Sequence, residues 1–312
     1  MKRLFATTSL LLLLSACSSD SEDFKGNVTQ YQTIYKIPVV VHVVHNGEAI
    51  GTGANISFAQ IQSQIDVLNE DFRRRFGTNG FNENEEGSDT LIEFFLAIED
   101  PNGAAMEEPG IDRVDGGRSE WPKGVFRNPI ETSLKPFTIW DPKKYFNIWT
   151  VNFGGFASRD LLGYAQFPDE SGLLGLNVDN GPDNTDGIVI GYNYFGSSEK
   201  GNLPSLIAPY DLGRTTTHEV GHWLGLRHIW GDGDCTYDDY CLDTPLSAEP
   251  SFGCPVDKMT CTELEMTENY MDYTDDGCMN TFTKDQTERM ITVLETSPRR
   301  KELVVLAQEP ID

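Results

Sequence analysis

Three of the chain's five histidines lie between His218 and His228, and their spacing constrains the fold more than any other feature. Residues four positions apart on a helix share one face, so the imidazoles of His218 and His222 can approach a single ion. Gly225 can end that helix, because glycine readily adopts a left-handed backbone conformation. The resulting turn would bring His228 round as a third ligand. The pattern therefore predicts one metal site built on an interrupted helix.

This ligand set is typical of zinc. Three nitrogen ligands leave one tetrahedral position for water, which is the arrangement of a catalytic zinc site rather than a structural one. Zinc lowers the pKa of its bound water to about 7. Glu219 follows the first histidine, where its carboxylate can accept a proton from that water and later deliver it to a departing amine. An amphipathic helix that carries histidines by coincidence is the alternative, but it does not account for Glu219 and Gly225 in the same pattern.

The start of the chain is typical of an exported protein. Two basic residues precede an apolar run that ends at Leu14, so residues 1–16 are predicted to be a signal peptide. The four residues ending at Cys17 resemble a bacterial lipobox, which predicts lipidation of Cys17; an ordinary secretory signal is the alternative. Residues 17–33 are polar and predict a flexible tether. We expect a protein anchored by lipid to a bacterial membrane, at the outer membrane or cell surface, or secreted.

The acidic composition restricts the partners. A net charge of -25 argues against nucleic acid and against anionic lipid surfaces, whose phosphates need clustered lysine and arginine. The lipid anchor is therefore the only membrane contact that we expect. Acidic runs at residues 82–89 and 179–186 could hold calcium, but such runs are more often solvated surface.

Cysteine is concentrated in one stretch. In an exported protein such clustering predicts disulfides that stabilise a loop-rich region, and an odd number leaves at least one thiol free or paired elsewhere. A zinc site made of cysteines alone is the alternative, but the spacing contains no CxxC pair. The chain has six cysteines: Cys17 and the five clustered ones, Cys235, Cys241, Cys254, Cys261 and Cys278.

The hydrophobic pattern predicts a mixture of strands and helices. The β-branched run from Ile37 to Val44 predicts a buried strand, and a capping box at Ser57 begins an amphipathic helix that ends near Phe76. His42 and His45 lie on or beside this strand without a partner at metal-ligand spacing, so we interpret them as structural. Further strands are predicted at residues 91–98, 146–151, 163–167 and 187–192, and a last helix is predicted from Thr283 toward Leu294.

The order of these elements predicts an α+β fold. Residues 34–312 would form one catalytic domain. Its regular upper subdomain would cover about residues 34–228, and its irregular, cysteine-bearing lower subdomain would cover about residues 229–312.

The long motif HExxHxxGxxH, from His218 to His228, is similar to the zinc signature of the metzincins. Residues 269–273 resemble the methionine-containing turn of that group. The resemblance implies a metzincin-type zincin, with an upper mixed twisted sheet plus helices and an irregular, disulfide-bearing lower subdomain that ends in a helix. Flanking segments resemble the pappalysin family specifically: His228–Asp232, Asp243–Pro245, Gly253–Pro255 and Cys278–Thr283.

The resemblance also implies roles for individual residues. Met271 would form an apolar floor under the zinc ligands. Tyr273 would stabilise the oxyanion of the reaction, a role that suits a phenol, although a core aromatic is the alternative. A structural calcium ion would be bound by the side chains of Asp239 and Thr244 and by the carbonyl of Leu242. The implied disulfides are Cys235–Cys261 and Cys254–Cys278, which leaves Cys241 free; a Cys235–Cys241 bridge stays open from the sequence.

By the same resemblance, an extended peptide would pair with an edge strand formed by Gly163, Tyr164 and Ala165. An interior strand is the alternative for this stretch. Some pappalysins select a basic residue after the cut through an acidic side chain, but Gly277 stands at that place here. We therefore predict a monomeric zinc endopeptidase that hydrolyses proteins or peptides. A zinc-containing surface lipoprotein without turnover and a zinc hydrolase of small amides are the alternatives.

Overall fold

A mixed sheet forms the upper part of the protein. The computed structural model describes residues 30–124, 128–155, 158 and 160–310. Their strands are β1 (Tyr31–His45), β2 (Ile92–Leu96), β3 (Ile111–Asp115), β4 (Phe146–Val151), β5 (Gly163–Ala165), β6 (Ile188–Gly191) and β7 (Val305–Pro310). Their helices are α1 (Phe58–Phe72), α2 (Lys135–Thr138), α3 (Arg214–Trp223), α4 (Lys284–Thr296) and α5 (Arg300–Leu303). One π-helical turn, Ile130–Leu134, precedes α2.

The strand order is β2-β1-β4-β6-β5, and β3 and β7 also pair with β1. Strands β2, β3 and β4 run parallel to β1, whereas β7 runs antiparallel to it. β1 suits this central place because its apolar residues form an almost continuous run, as expected for a strand that is buried on both faces. β5 runs antiparallel to β6 and lies at the end of the order, so it is an edge strand.

Two apolar cores lie on opposite faces of the sheet. The larger core joins the sheet to α1, α3 and α4 through residues such as Leu68, Trp223 and Met290. The smaller core contains Trp149 and Val189, and the ring of Tyr164 packs against it. Because α3 packs against β5 and β6, the edge strand lies directly over the histidine-bearing helix.

Side-chain caps explain where two helices begin. Ser57 Oγ accepts a hydrogen bond from the Gln60 N–H at 3.2 Å, which caps α1. Thr283 and Gln286 form the reciprocal capping box of α4. Each cap satisfies an N–H group that has no partner inside the helix.

The α+β prediction is confirmed, and the structure adds two strands, β3 and β7, that the sequence pattern did not indicate. Since β1 begins at Tyr31, residues 31–33, which the sequence assigned to the tether, pair with β7 instead. After α4 the chain returns through α5 to the upper sheet, where it forms β7. The predicted signal peptide and Cys17 lie outside the described residues.

The lower part of the protein is irregular and carries two disulfides. They join Cys235 to Cys261 and Cys254 to Cys278, and Cys241 is free and buried. Among the described residues, no helix has the length and apolar character needed to cross a bilayer.

Candidate metal centre

Helix α3 is fixed at its start by neighbouring elements. Asp276 Oδ2 accepts hydrogen bonds from the N–H groups of Leu212 and Arg214, at 2.8 and 3.2 Å, in place of a side-chain cap. Asp71 of α1 pairs with Arg214 at 3.1 Å and accepts a hydrogen bond from Thr217 Oγ1 at 2.7 Å. These buried contacts set the position of α3 under the sheet.

The helix ends in a Schellman turn at Gly225, whose φ is +90°. The Gly225 N–H donates to the His222 carbonyl, and the Leu226 N–H donates to the Gly221 carbonyl, both at 2.9 Å. Only glycine adopts this backbone conformation without strain. The chain then reverses and brings His228 back toward the helix, as the sequence spacing predicts.

The three imidazoles converge on one point. One ring nitrogen from each of His218, His222 and His228 lies within 4.8 Å of the others. Each Nδ1–H is used by a different acceptor: Tyr270 O at 2.7 Å for His218, Leu226 O at 2.8 Å for His222, and Asp232 Oδ1 at 2.5 Å for His228.

The second nitrogen of each ring, Nε2, is therefore left for the common point. The Nε2 atoms of His222 and His228 are 3.1 Å apart. Burial and the neighbouring histidines lower the pKa of His222 to about 3 and the pKa of His218 well below its ordinary value. Ring nitrogens that converge on one point fit a cation, and three nitrogen donors suit zinc.

Glu219 lies beside the converging histidines and beneath the edge strand. A Cβ on Gly163 would be 3.0 Å from Glu219 Cγ, so glycine is what allows β5 to approach the carboxylate. Burial raises the pKa of Glu219 to about 8, and the Lys123 ammonium opposes this rise. A carboxylate with a raised pKa can hold a proton and release it near neutral pH.

The turn that contains Met271 supports the histidines from below. Met271 is buried, and a Cβ on Gly221 would be 2.5 Å from its Sδ, so the glycine lets this turn lie against α3. Tyr273 follows, with its ring centroid 4.9 Å from that of His228 and 5.5 Å from that of His218. Burial, with help from Glu219, raises the pKa of Tyr273 to about 12, so its phenol remains a hydrogen-bond donor.

A cavity of about 580 Å³ opens beside His218 and Glu219. Residues 160–163, which lead into β5, line it together with Phe252 and Tyr273. Asp276 also lines it, but its carboxylate is occupied by the N-terminus of α3, and Gly277 supplies no acid. The cavity is therefore continuous with the edge strand and can accept a side chain of a peptide.

Two residues of the expected calcium loop, Asp239 and Thr244, lie in contact. Thr244 Oγ1 lies 2.9 Å from both carboxylate oxygens of Asp239 and 2.8 Å from the Cys241 carbonyl. Burial raises the pKa of Asp239 to about 7. The Leu242 side chain points to solvent, and its N–H donates to Asp285 Oδ2 at 2.8 Å.

Several residues near the site were not identified from the sequence. Asp232 holds His228, and the Trp230 ring stacks on His228 with centroids 4.2 Å apart. Asp232 follows its histidine by four residues, so helical-type proximity could have signalled it. Lys123 and Asp71 come from distant parts of the chain and gave no local signal. His42 lies elsewhere, buried in β1 between Asp112 and Asn147.

Comparison with known proteins agrees with this geometry. A sequence profile of the family described as pregnancy-associated plasma protein-A matches residues 136–295. The Extracellular metalloprotease of Pyricularia oryzae is 30% identical over 269 residues, which cover 85% of this chain and 77% of that protein. The Extracellular metalloprotease 1 of Coccidioides posadasii is 38% identical over 182 residues, which cover 54% of this chain and 62% of that protein.

Solved structures give the same result. Mature mirolysin of Tannerella forsythia, in complex with a cleaved peptide, has a TM-score of 0.71 and 43% identity, and the match covers 86% of this chain and 95% of that one. Mirolysin in complex with a small compound has a TM-score of 0.69 and 42% identity, over 87% of this chain and 96% of that one.

Proposed function

We propose, from the premise that this chain belongs to the pappalysin family of metallopeptidases, that His218, His222 and His228 hold a catalytic zinc ion and that Glu219 is the general base. The chain is a zinc-dependent endopeptidase, and a binding lipoprotein without turnover is not favoured. The observation that carries the residue assignment is the convergence of three imidazole nitrogens within 4.8 Å, beside a buried carboxylate.

When bound, zinc lowers the pKa of a water molecule and polarises the scissile carbonyl. Glu219 accepts the proton of the attacking water and carries it to the leaving amine. Its buried position under β5 keeps the carboxylate away from bulk solvent, so the proton is retained until the amine can take it. Asp232, Tyr270 and Leu226 hold the three imidazoles in the tautomer that leaves Nε2 free.

Tyr273 stabilises the oxyanion of the reaction. Its phenol is protonated at neutral pH and lies beside the His228 and His218 rings, so it can donate a hydrogen bond to the oxyanion. Such a bond is strongest when negative charge develops, which favours the transition state over the bound substrate.

The substrate is an extended peptide that adds a strand to β5. The main-chain groups on the free edge of Gly163, Tyr164 and Ala165 give affinity without sequence preference, and the cavity beside Tyr273 accepts one side chain. The mirolysin structure with a cleaved peptide supports a peptide substrate. An open edge next to the cavity does not favour a small amide, which would need an enclosed pocket.

The test compares the wild type with Glu219→Gln, which keeps the shape of the side chain but removes the base. We expect hydrolysis of casein or of a peptide library to fall by roughly 10²- to 10⁴-fold, with the zinc content unchanged. His228→Ala should lose both activity and zinc. If the Glu219→Gln variant cleaves as fast as the wild type, the assignment of Glu219 is wrong.

The protein is exported and held at a bacterial membrane by a lipid on Cys17, as a monomer. The names of the relatives, which are extracellular metalloproteases, support export. Support for the lipid is the sequence that ends at Cys17. Cys17→Ser should move the protein from the membrane fraction to the soluble fraction; equal membrane retention of the variant would refute the anchor.

A structural calcium ion in the loop of Asp239, Leu242 and Thr244 completes the proposal. The buried Asp239 carboxylate has a raised pKa and no cationic partner at hydrogen-bond distance among the described residues, and calcium would stabilise its charged form. Calcium should raise the melting temperature of the wild type and leave that of Asp239→Asn unchanged. The same calcium response in both proteins would exclude this site.

A further inference from the structure

A half-buried ammonium group, that of Lys123, lies over a side chain of the edge strand. Lys123 Nζ is 3.7 Å from the ring centroid of Tyr164, the central residue of β5. The backbone N–H of Lys123 donates to Ser158 Oγ at 3.2 Å, and the Ser158 hydroxyl donates in turn to the Gly154 carbonyl. The backbone of Lys123 is thus held by the loop that follows β4, and its ammonium reaches the edge strand, where a peptide would bind.

The ring under Lys123 is itself anchored. The Tyr164 hydroxyl donates to Glu131 Oε1 at 2.6 Å, and Lys135 Nζ lies 2.9 Å from the same oxygen. Lys135 is almost fully buried, so its ammonium group stays in contact with Glu131. The carboxylate of Glu131 is therefore already neutralised by Lys135, and the cation–π contact gives Lys123 a fixed platform.

Lys123 lacks a carboxylate of its own. Within the described part of the chain, no carboxylate oxygen lies within 4.0 Å of its Nζ, and Glu219 and Glu131 attract it from a longer range. In a protein with a net charge of -25, most lysines find an acidic partner, as Lys36, Lys200 and Lys258 do. An ammonium without one, over the edge strand, is available to a ligand.

We propose that Lys123 binds a carboxylate of the peptide next to the scissile bond, which makes it a specificity-determining residue. This inference rests on the proposed function, because it places the peptide along β5. The carboxylate belongs either to an acidic side chain of the substrate or to the C-terminus that hydrolysis frees. Both sources present the same group to the same ammonium, and the experiment below separates them.

The environment of Lys123 favours this interaction. Burial lowers the pKa of Lys123, since the ammonium has lost part of its hydration, while the charges of Glu219 and Glu131 oppose the fall. A partly desolvated ammonium gains more from a carboxylate than a lysine in open water does. Lysine is also a mobile point charge, so it can reach a carboxylate at more than one position of the peptide.

The experiment uses Lys123→Met and a matched control, Lys144→Met, which removes an exposed lysine from a turn remote in sequence. Paired peptides carry Glu or Gln at successive positions on either side of the cut. We expect the wild type and Lys144→Met to cleave the best Glu peptide with a kcat/KM about tenfold above that of its Gln partner. Lys123→Met should cleave the two equally, and added salt should reduce the wild-type preference.

A second measurement tests the freed C-terminus. The N-terminal cleavage product is titrated as a free acid and as an amide, by calorimetry. The product C-terminus is the carboxylate that Lys123 binds if two results are found together. The wild type binds the acid more tightly than the amide, a difference that Lys123→Met loses, and the wild type shows no preference for Glu in cleavage. The inference is overturned if the wild type and Lys123→Met show the same preference between the Glu and Gln peptides and the same preference between the acid and amide products.

Failure of the proposed function gives a different result, because then none of the enzymes would cleave any peptide, including those with Gln. The calorimetric comparison does not depend on turnover and still decides the role of Lys123.

Discussion

At the scale of single residues, the arrangement of the three histidines is favourable when they bind a metal ion and unfavourable when the ion is removed. The Nε2 atoms of His222 and His228 lie 3.1 Å apart, and burial lowers the pKa of His222 to about 3, so that ring does not gain a proton. Removal of the metal should therefore lower stability. We expect the melting temperature to fall on treatment with a chelator and to recover with zinc, by an amount that grows with zinc concentration.

The control for metal removal is His228→Ala, which breaks the ligand set. Its melting temperature should respond little to added zinc. An equal zinc response in wild type and variant, measured by thermal denaturation with circular dichroism, would contradict the site.

Asp232 belongs to the same scale, because it acts on one ring. Its Oδ1 accepts the His228 Nδ1–H at 2.5 Å and so fixes the orientation of that imidazole. Asp232→Asn should weaken zinc affinity by roughly 10- to 100-fold, the usual effect of losing such a partner. Competition with a chromophoric chelator measures this. Asp234→Asn, nearby but bonded only within its own turn to Thr236, is the matched control and should leave the affinity unchanged.

The sequence revealed some of these residues and not others for a physical reason. His218 to His228 form a local pattern, so helical periodicity and one glycine are enough to predict their convergence. The roles of Tyr273 and Met271 could be predicted only from the family resemblance, because no local sequence pattern indicates that their turn lies against α3. Lys123 could not be predicted, because its place depends on which strand lies at the edge of the sheet.

At the scale of elements, contact between α3 and the turn that contains Met271 depends on Gly221. A Cβ at this position would be 2.5 Å from Met271 Sδ, and Met271 is fully buried and cannot move into solvent. Gly221→Ala should destabilise the protein by about 1–3 kcal/mol, although alanine favours a helix. Urea denaturation measures the free energy of unfolding.

The double variant Gly221→Ala/Met271→Ala tests the cause. Truncation of Met271 removes the clash, so the two substitutions should cost less together than the sum of their separate effects. Additive effects would show that Gly221 is required for another reason.

Strand prediction succeeded where the signal was local. β4 has the predicted bounds, Phe146–Val151, because a run of buried apolar residues is visible in the sequence. β3 carries Asp112, Arg113 and Asp115, and the residues of β7 are mostly exposed, so neither shows a strand pattern. Both strands exist because they pair with β1, and for β7 this pairing joins segments about 270 residues apart, Tyr31–Lys36 and Val305–Pro310, which local patterns cannot report.

At the scale of the whole molecule, buried charge ties the C-terminal segment to the catalytic core. Arg300 of α5 forms hydrogen bonds to both carboxylate oxygens of Asp186, at 2.5 and 2.9 Å, just before β6. Arg300 Nε also donates to the Trp223 carbonyl at 3.2 Å, at the end of α3. Arg299 adds a further contact to Asp186. The ion pair of Arg300 and Asp186 thus connects the sheet, the catalytic helix and the returning chain.

Asp186→Asn should destabilise the protein by about 3–5 kcal/mol, because the buried Arg300 guanidinium loses its counter-charge. Burial opposes ionisation of Asp186, yet Arg300 and Arg299 hold its pKa below the ordinary value. The unfolded chain therefore binds this proton more readily than the folded protein does. The stabilisation is present above the ordinary carboxyl pKa of about 4 and is lost as the pH falls through the lower folded value.

The free energy of unfolding of wild type and Asp186→Asn, measured with denaturant from pH 7 to pH 3, checks both parts. The difference should be constant near neutrality and should shrink toward the acid end, where Asp186 of the wild type also becomes neutral. Asp141→Asn, at an exposed carboxylate, is the control and should change stability by less than about 0.5 kcal/mol. A difference that grows as the pH falls would contradict the direction of the Asp186 pKa shift and, with it, the role of this ion pair in holding the returning chain.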